Sequence, residues 1–380
     1  MRFNLITQLV VTLSIISRPA WAIEDNSNTY SYGLDSFTPE WAENARESKY
    51  KLKVQKGDFI AVPIPLSDPT LGSGIVGVAA YYYGQTEQEK EQQPPNVTQL
   101  FSMYTNNKSY GIGINQQNYW QQDKWRFNAT LAYADLQLDL LDENIANIPF
   151  KVGWQINGVF AKTQLLRSVA DNWYLGIQAK WIENEQTFST SLDRQDWLFA
   201  SQTQSIGAGA LLQYDSRDNQ TNAYNGQRFE LDAMFNDQAL GSTNTYQSYQ
   251  IRYRFYKQLL TPLIFAFEAR GCNKKGNAPL WDYCTIGLRG FSATNYLDKT
   301  SVSSQAELRW RAWKNLGFVG FAGAGEHAKT INSLGEHDAI ASYGVGIRYM
   351  VLESQRINLR VDYAKSNDDD AVYLSVTEAF

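Results

Sequence analysis

The chain has 380 residues, with 34 Lys and Arg against 39 Asp and Glu and a net charge of -5, which leaves no basic field for nucleic acid. Its 23 Tyr, 18 Phe and 11 Trp stand beside only 10 Pro, 4 Met and 2 His, a balance unlike an ordinary enzyme and suited to the interfacial aromatic girdles of membrane barrels. A mean hydropathy of -0.41 does not exclude lipid, because a barrel alternates lipid-facing with lumen-facing residues and its average stays low.

Arg2 gives a positive start, Leu5 to Ile16 is a mostly apolar run, and Ala20-Trp21-Ala22 carries small residues where a signal peptidase reads. Residues 1–22 are therefore predicted to be a secretory signal. The run is too short for a membrane anchor, and no later stretch reaches the roughly 20 apolar residues of a spanning helix. Residues 23–57 are polar and aromatic without a period, about 35 residues, too few for a folded domain of ordinary size. They are expected to be a periplasmic segment, by default a disordered or loosely docked tail, with a tether, a plug of the lumen or a partner-binding arm as alternatives.

From about Asp58 to Phe380 the pattern turns to period two. Strands are predicted near 59–66, 74–84, 98–105, 109–119, 124–137, 150–163, 172–184 and 203–215. In 246–257, Tyr249, Ile251, Tyr253 and Phe255 share one face while Ser248, Gln250, Arg252 and Arg254 share the other. Successive strand side chains point to opposite faces, so each such segment has one apolar and one charged wall. The second half continues near 227–235, 246–257, 261–270, 301–312, 315–325, 341–350, 355–365 and 371–380. A soluble sandwich would also alternate, but its strands run about 5–6 residues, whereas these suit the ~9–11 that cross a bilayer at a tilt. The fold class expected is thus all-β, a transmembrane antiparallel barrel of about sixteen strands, closed because lipid leaves no partner for an open edge.

With a periplasmic N-terminus, even-to-odd connections should be short and odd-to-even ones long. The turns at 121–123, 257–260, 313–314 and 353–354 fit the short side. The stretches 138–149, 185–202, 271–300 and 326–340 fit the long side. The connection 85–97 is long on the short side, which makes the first strand the weakest element. Asp215-Ser216-Arg217-Asp218-Asn219, followed by Ala223-Tyr224-Asn225-Gly226, marks the turn after the eighth strand. Cys272 and Cys284 lie in the long connection after the eleventh, where an oxidising periplasm would join them in one disulfide; two free buried thiols are the alternative. That connection also carries Leu288-Arg289-Gly290-Phe291. The last strand alternates Val372, Leu374 and Val376 and ends at Phe380.

These motifs together resemble the BamA/TamA family of outer-membrane proteins, also called the bacterial surface antigen superfamily. Leu288–Phe291 resembles its Val-Arg-Gly-Tyr/Phe loop motif. Asp215–Asn219 with Gly226 resembles its Asp-x-Arg-Asp-Asn turn and Pro-x-x-Gly, with Ala223 where proline is usual. The terminal Phe380 resembles the signal by which barrels reach the insertion machinery. The resemblance covers 58–380 and implies a long luminal loop between strands 11 and 12, with 288–291 as a latch inside the barrel. It also implies a carboxylate on strand 13 for Arg289. Residues 318–325 offer none, so Glu307 on strand 12 is the expected partner. The family's POTRA domains, which receive clients, need roughly 75–80 residues each, more than 23–57 provides.

No catalytic signature, metal-ligand cluster or cofactor motif occurs, and Asp368-Asp369-Asp370 is expected to be a solvated hairpin tip. The resemblance implies residence in the bacterial outer membrane among lipid and lipopolysaccharide, delivery by the barrel assembly machinery, and a role assisting insertion or translocation of a protein client. The mechanism would use a weak seam between the last strand and a first strand containing Pro63 and Pro65, which remove ladder donors. The alternative is a pore or structural barrel, with Arg252, Arg254, Arg309, Arg311, Arg348 and Arg360 lining a cationic interior.

Overall fold

The computed structural model describes residues 57–380, apart from 87–88, 90–91, 146–147, 193–194, 220–221, 337, 354–355 and 367–369. The predicted signal peptide, all but the last residue of the 23–57 segment, and Asp368 and Asp369 lie outside the described residues. The chain forms one closed barrel of sixteen antiparallel strands in sequence order, with the first against the last. These are β1 (Asp58–Asp68), β2 (Gly72–Tyr82), β3 (Val97–Thr105), β4 (Tyr110–Trp120), β5 (Trp125–Ile145), β6 (Ile148–Ala170), β7 (Trp173–Leu192) and β8 (Gln195–Asp215). The circuit continues with β9 (Gly226–Asn236), β10 (Tyr246–Leu260), β11 (Leu263–Gly276), β12 (Thr300–Trp313), β13 (Leu316–Ala328), β14 (Ile340–Leu352), β15 (Ile357–Ser366) and β16 (Asp370–Val376). Among the described residues, no helix is long and apolar enough to cross a membrane.

The period-two pattern sets the two faces. On β12, Val302, Leu308 and Trp310 are exposed outward, while Ser303, Gln305, Glu307 and Arg309 are buried inward. The outward face is an apolar wall that includes Ile177 at 67% exposure and Trp313 at 68%. In a water-soluble fold such a wall would have to be covered.

Two long connections expected at 138–149 and 185–202 are instead the far halves of hairpins. Strands β5 to β8 contain 21, 23, 20 and 21 residues, about 65–75 Å of strand at ~3.3 Å per residue. That is roughly twice what a bilayer crossing requires. The ladders of β6 and β7 continue through polar positions such as Thr187 and Ser189, so polarity gave a false stop. Cross-strand stacking of Trp154 on Phe188 (5.8 Å) and Phe188 on Phe199 (4.9 Å) ties β6, β7 and β8 together there. Stacked aromatic pairs of this kind stabilise neighbouring strands.

The first strand belongs fully to the barrel: Asp58–Asp68 pairs residue for residue with Tyr82–Gly72. The long 83–96 connection folds onto the β4–β5 turn, where Gln93 donates to the Tyr119 carbonyl (3.2 Å) and accepts from the Gln122 N–H (3.1 Å). Its length therefore reflects docking across one barrel end.

The connection between β11 and β12 folds into the interior. Trp281, fully buried, belongs to one apolar cluster with Ile64, Val76, Phe101, Leu136, Trp154 and Ile182 of the wall, against which Leu280, Ala293 and Leu297 also pack. The loop thus packs in the lumen with apolar contacts toward β1–β7 and places its charged groups against partners on β7, β11, β12 and β15.

Candidate functional site

Arg289 sits at the inward tip of the loop, buried. Its Nη2 pairs with the Glu307 carboxylate of β12, and its Nη1 donates to Asp362 Oδ2 of β15 at 2.8 Å. Gln305 accepts a further bond at 3.2 Å. The guanidinium also lies 3.4 Å from the Phe321 ring centroid. The expected carboxylate on strand 13 is thus replaced by an aromatic face on β13 and an acid two strands further on. A planar guanidinium can satisfy both at once, where an ammonium could not. Gly290 follows at φ 94°, a left-handed turn that glycine adopts without strain, and its N–H donates to the Tyr373 hydroxyl at 2.8 Å. Leu288 and Phe291 are buried with Ile286 in a small cluster against Tyr296 and Ile340. The loop comes this close because β13 is glycine-rich: a Cβ at Gly323 or Gly325 would lie 2.9 Å from Leu288 or 2.8 Å from Ile286.

A second anchor was not read from the sequence. Asp282, in a one-turn 3-10 helix at Leu280–Asp282, accepts from Lys274 (2.8 Å), Lys180 (3.1 Å) and the Tyr246 hydroxyl (2.7 Å). Burial pushes its carboxyl up, but the two lysines outweigh that and hold it well below the usual carboxylate range. Cys272 on β11 and Cys284 in the loop are joined by a disulfide, which fixes the same stretch covalently. The only sequence signal was an isolated acid in an otherwise apolar loop segment.

The end of the chain departs from expectation. β16 stops at Val376, Thr377 takes φ 77°, and residues 378–380 turn into the lumen. Val372 faces outward, exposed, and Leu374 is half-buried at the seam, whereas Phe380 is buried with Ala223, Tyr256 and Ala266. Phe380 therefore does not continue the outward row of the strand. Glu378 bonds Arg348 (2.7 Å) and Asn358 (2.6 Å), and Arg309 donates to the Phe380 carbonyl oxygen (2.9 Å). Burial raises the Glu378 carboxyl, while Arg348 and Arg309 more than offset it and hold it low. Because Arg348 also pairs with Asp362 and Arg309 with Glu307, one ion network connects the loop tip to the chain terminus.

This inward turn shapes the seam. β1 and β16 share the single register pair Ser67–Leu374. Three residues further along, Thr377 would have faced Ile64; instead the tail leaves, and among the described residues the backbone of 58–64 has no β16 residue opposite it. The β8–β9 turn stands at the same barrel end. There Asp215 holds Arg217 through two bonds of 2.8 Å, and Asp218 accepts from the Tyr224 and Asn225 N–H groups and from Arg356 (2.8 Å) of the β14–β15 turn. Asn219 accepts from the Asn222 N–H, and Gly226 opens β9 at φ 103°. Ala223, standing where proline was expected, packs on Phe380.

The luminal arginines do not form an open cationic lining. Arg252 and Arg254 surround Glu268, Arg309 pairs with Glu307, and Arg348 pairs with Asp362 and Glu378. Arg311 is exposed at the barrel end. Among the described residues no group of His, Cys, Asp and Glu is arranged to hold a metal ion.

Known proteins resemble this architecture. The Omp85 superfamily domain matches residues 21–375. BamA from Haemophilus ducreyi lacking POTRA domains 1-3 is similar in structure, with a TM-score of 0.57, 13% identity, and 85% of this chain against 70% of that one. CdiB from Acinetobacter baumannii gives 0.53 and 13%, over 84% of this chain and 59% of its own. CdiB from Escherichia coli gives 0.55 and 10%, over 84% and 62%. These identities speak to fold alone, and this chain spans under two thirds of either CdiB. No curated protein sequence matches.

Proposed function

Because the chain belongs to the Omp85 superfamily, we propose that it resides in the bacterial outer membrane and assists insertion or translocation of a client protein there, as a scaffold and not as an enzyme. The observation that carries this reading is the seam. A barrel has no edges when its first and last strands pair in full. Here one register pair among the described residues closes the circuit, and the stretch 58–64 of β1, beyond the end of β16, offers unpaired donors and acceptors on that side. An extended client segment could add to that edge by backbone hydrogen bonding, while the loop packed in the lumen keeps the wall standing as the seam parts. Outer-membrane lipid and lipopolysaccharide would surround the apolar belt, and the barrel assembly machinery would deliver the chain itself. A pore reading loses its support from the luminal arginines, which the wall carboxylates largely neutralise.

The test is the folding rate of a purified client barrel added to liposomes with and without this protein. Ser67→Cys with Leu374→Cys places two thiols at the one seam pair, and their disulfide locks it. The reading expects acceleration by the unlocked protein, its loss on locking and its return on reduction. Wild type with and without reductant controls for the native Cys272–Cys284 bond. Equal rates with and without the protein would refute it.

A further inference from the structure

A cavity of about 230 Å³ lies at the seam. Its walls include both faces of the strands that meet there. Ile64 and Tyr373 are buried inward, whereas Pro65 pairs with the outward-facing Ile75 and borders the cavity beside Leu374. The cavity thus touches both inward and outward residues of the two strands that meet at the seam. Its lining is mixed: apolar side chains of β1, the luminal loop and Leu374 cover one part, and Arg270, Arg289, Arg360 and Gln305 border the rest.

Two guanidinium nitrogens in that lining have no acceptor among the described residues, the Nε of Arg289 and the Nε of Arg360. The other nitrogens of Arg289 are spent on Glu307, Asp362 and Gln305. Arg360 of β15 stands opposite Ser375 of β16, and its side chain is 13% exposed. Its Nε is buried with no hydrogen-bond partner among the described residues. The nearest carboxylate oxygen, Asp362 Oδ2, is 3.7 Å away and is already taken by Arg289. Arg270 also borders the cavity but is committed to Glu268 at 2.5 Å. Asp68, the acid of the lining, spends its Oδ1 on the Thr70 and Leu71 N–H groups. A buried guanidinium with unspent donors is costly unless an anion meets it.

We propose that this cavity binds an anionic amphiphile, with a phosphate or carboxylate head on Arg360 and its acyl chain running out between Pro65 and Leu374. The apolar part of the lining selects against a free anion, and the buried cation selects against a neutral chain. A headgroup with two oxygens can engage the guanidinium in a fork, the strongest common form of such contacts. The proposal is independent of client insertion: a barrel with no insertase activity could still hold such a ligand.

The experiment is equilibrium dialysis of the full chain in a neutral maltoside detergent against radiolabelled dodecyl phosphate kept below its own micelle concentration. Dodecanol and inorganic phosphate serve as competitors. One saturable equivalent is expected, displaced by neither competitor at matched concentration. Arg360→Gln should weaken binding about tenfold or more. Leu66→Trp, which fills the cavity and leaves the cation, should do the same. Heat-modifiable gel mobility checks that both variants are folded. Absence of saturable binding, or binding unchanged in both variants, would overturn the proposal. Equal displacement by inorganic phosphate would overturn the amphiphile in favour of a simple anion site.

Discussion

Arg289→Ala removes the group on which the loop tip depends, and the cost can be worked from its neighbours. Removing one member of a buried ion pair costs about 3–5 kcal/mol when the partner is left bare. Neither partner is left bare here, because Glu307 keeps Arg309 at 2.8 Å and Asp362 keeps Arg348. The expectation therefore falls at the lower end, about 3 kcal/mol, including the lost stacking on Phe321. At 1.4 kcal/mol per factor of ten, the released-loop population rises roughly a hundredfold. Chymotrypsin reads this directly, since Phe291 and Tyr296 are packed in the closed loop. When reclosing outruns cleavage, the cutting rate follows the open population. The segment freed should be 285–299, because the disulfide and the Asp282 cluster hold the part before it. Arg289→Lys, which keeps charge but loses the fork, should give an intermediate rise. A cleavage rate within threefold of wild type for Arg289→Ala would show that the ion network does not hold the loop.

Cys272 and Cys284 should resist alkylation in the native, unreduced protein and react after reduction; labelling of the unreduced protein, counted by mass spectrometry, would exclude the bond. Asp282→Asn should loosen residues 277–284 at pH 7, seen as faster amide hydrogen exchange. The wild-type carboxyl is depressed, so its stabilisation is present above the ordinary aspartate range and is lost only as pH falls below it. A wild-type loss of protection near pH 6 would contradict that sign. Phe380→Ala should cost about 3 kcal/mol, the low end for a buried phenylalanine, because the pocket of Ala223, Tyr256 and Ala266 sits at the barrel end. It should lower the temperature of the heat-dependent mobility shift, and an unchanged transition would deny the tail a structural role.

Strand number and facing were legible in the sequence because alternation is a local property: a residue's face follows from its neighbours two places away. The loop motif at 288–291 and the close cysteine pair were legible for the same reason, since each is contained within a short stretch. What faces Arg289 was not. Asp362 lies 73 positions away and meets it only because the barrel closes with β15 near β12 across the lumen. Asp282 likewise acquires Lys180 and Lys274 from strands whose spacing no local pattern encodes. The far halves of β5–β8 were missed because an apolar outward row marks a strand only where that face is apolar, and these strands keep their hydrogen-bond ladders after the row turns polar. The end of the chain separates the two levels most sharply. The sequence by itself determined that Val372 and Leu374 would sit in a strand. Only the tertiary structure decided that Thr377 turns inward, because Arg309 and Arg348, the partners of Glu378, come from β12 and β14 and reach it only in the folded barrel.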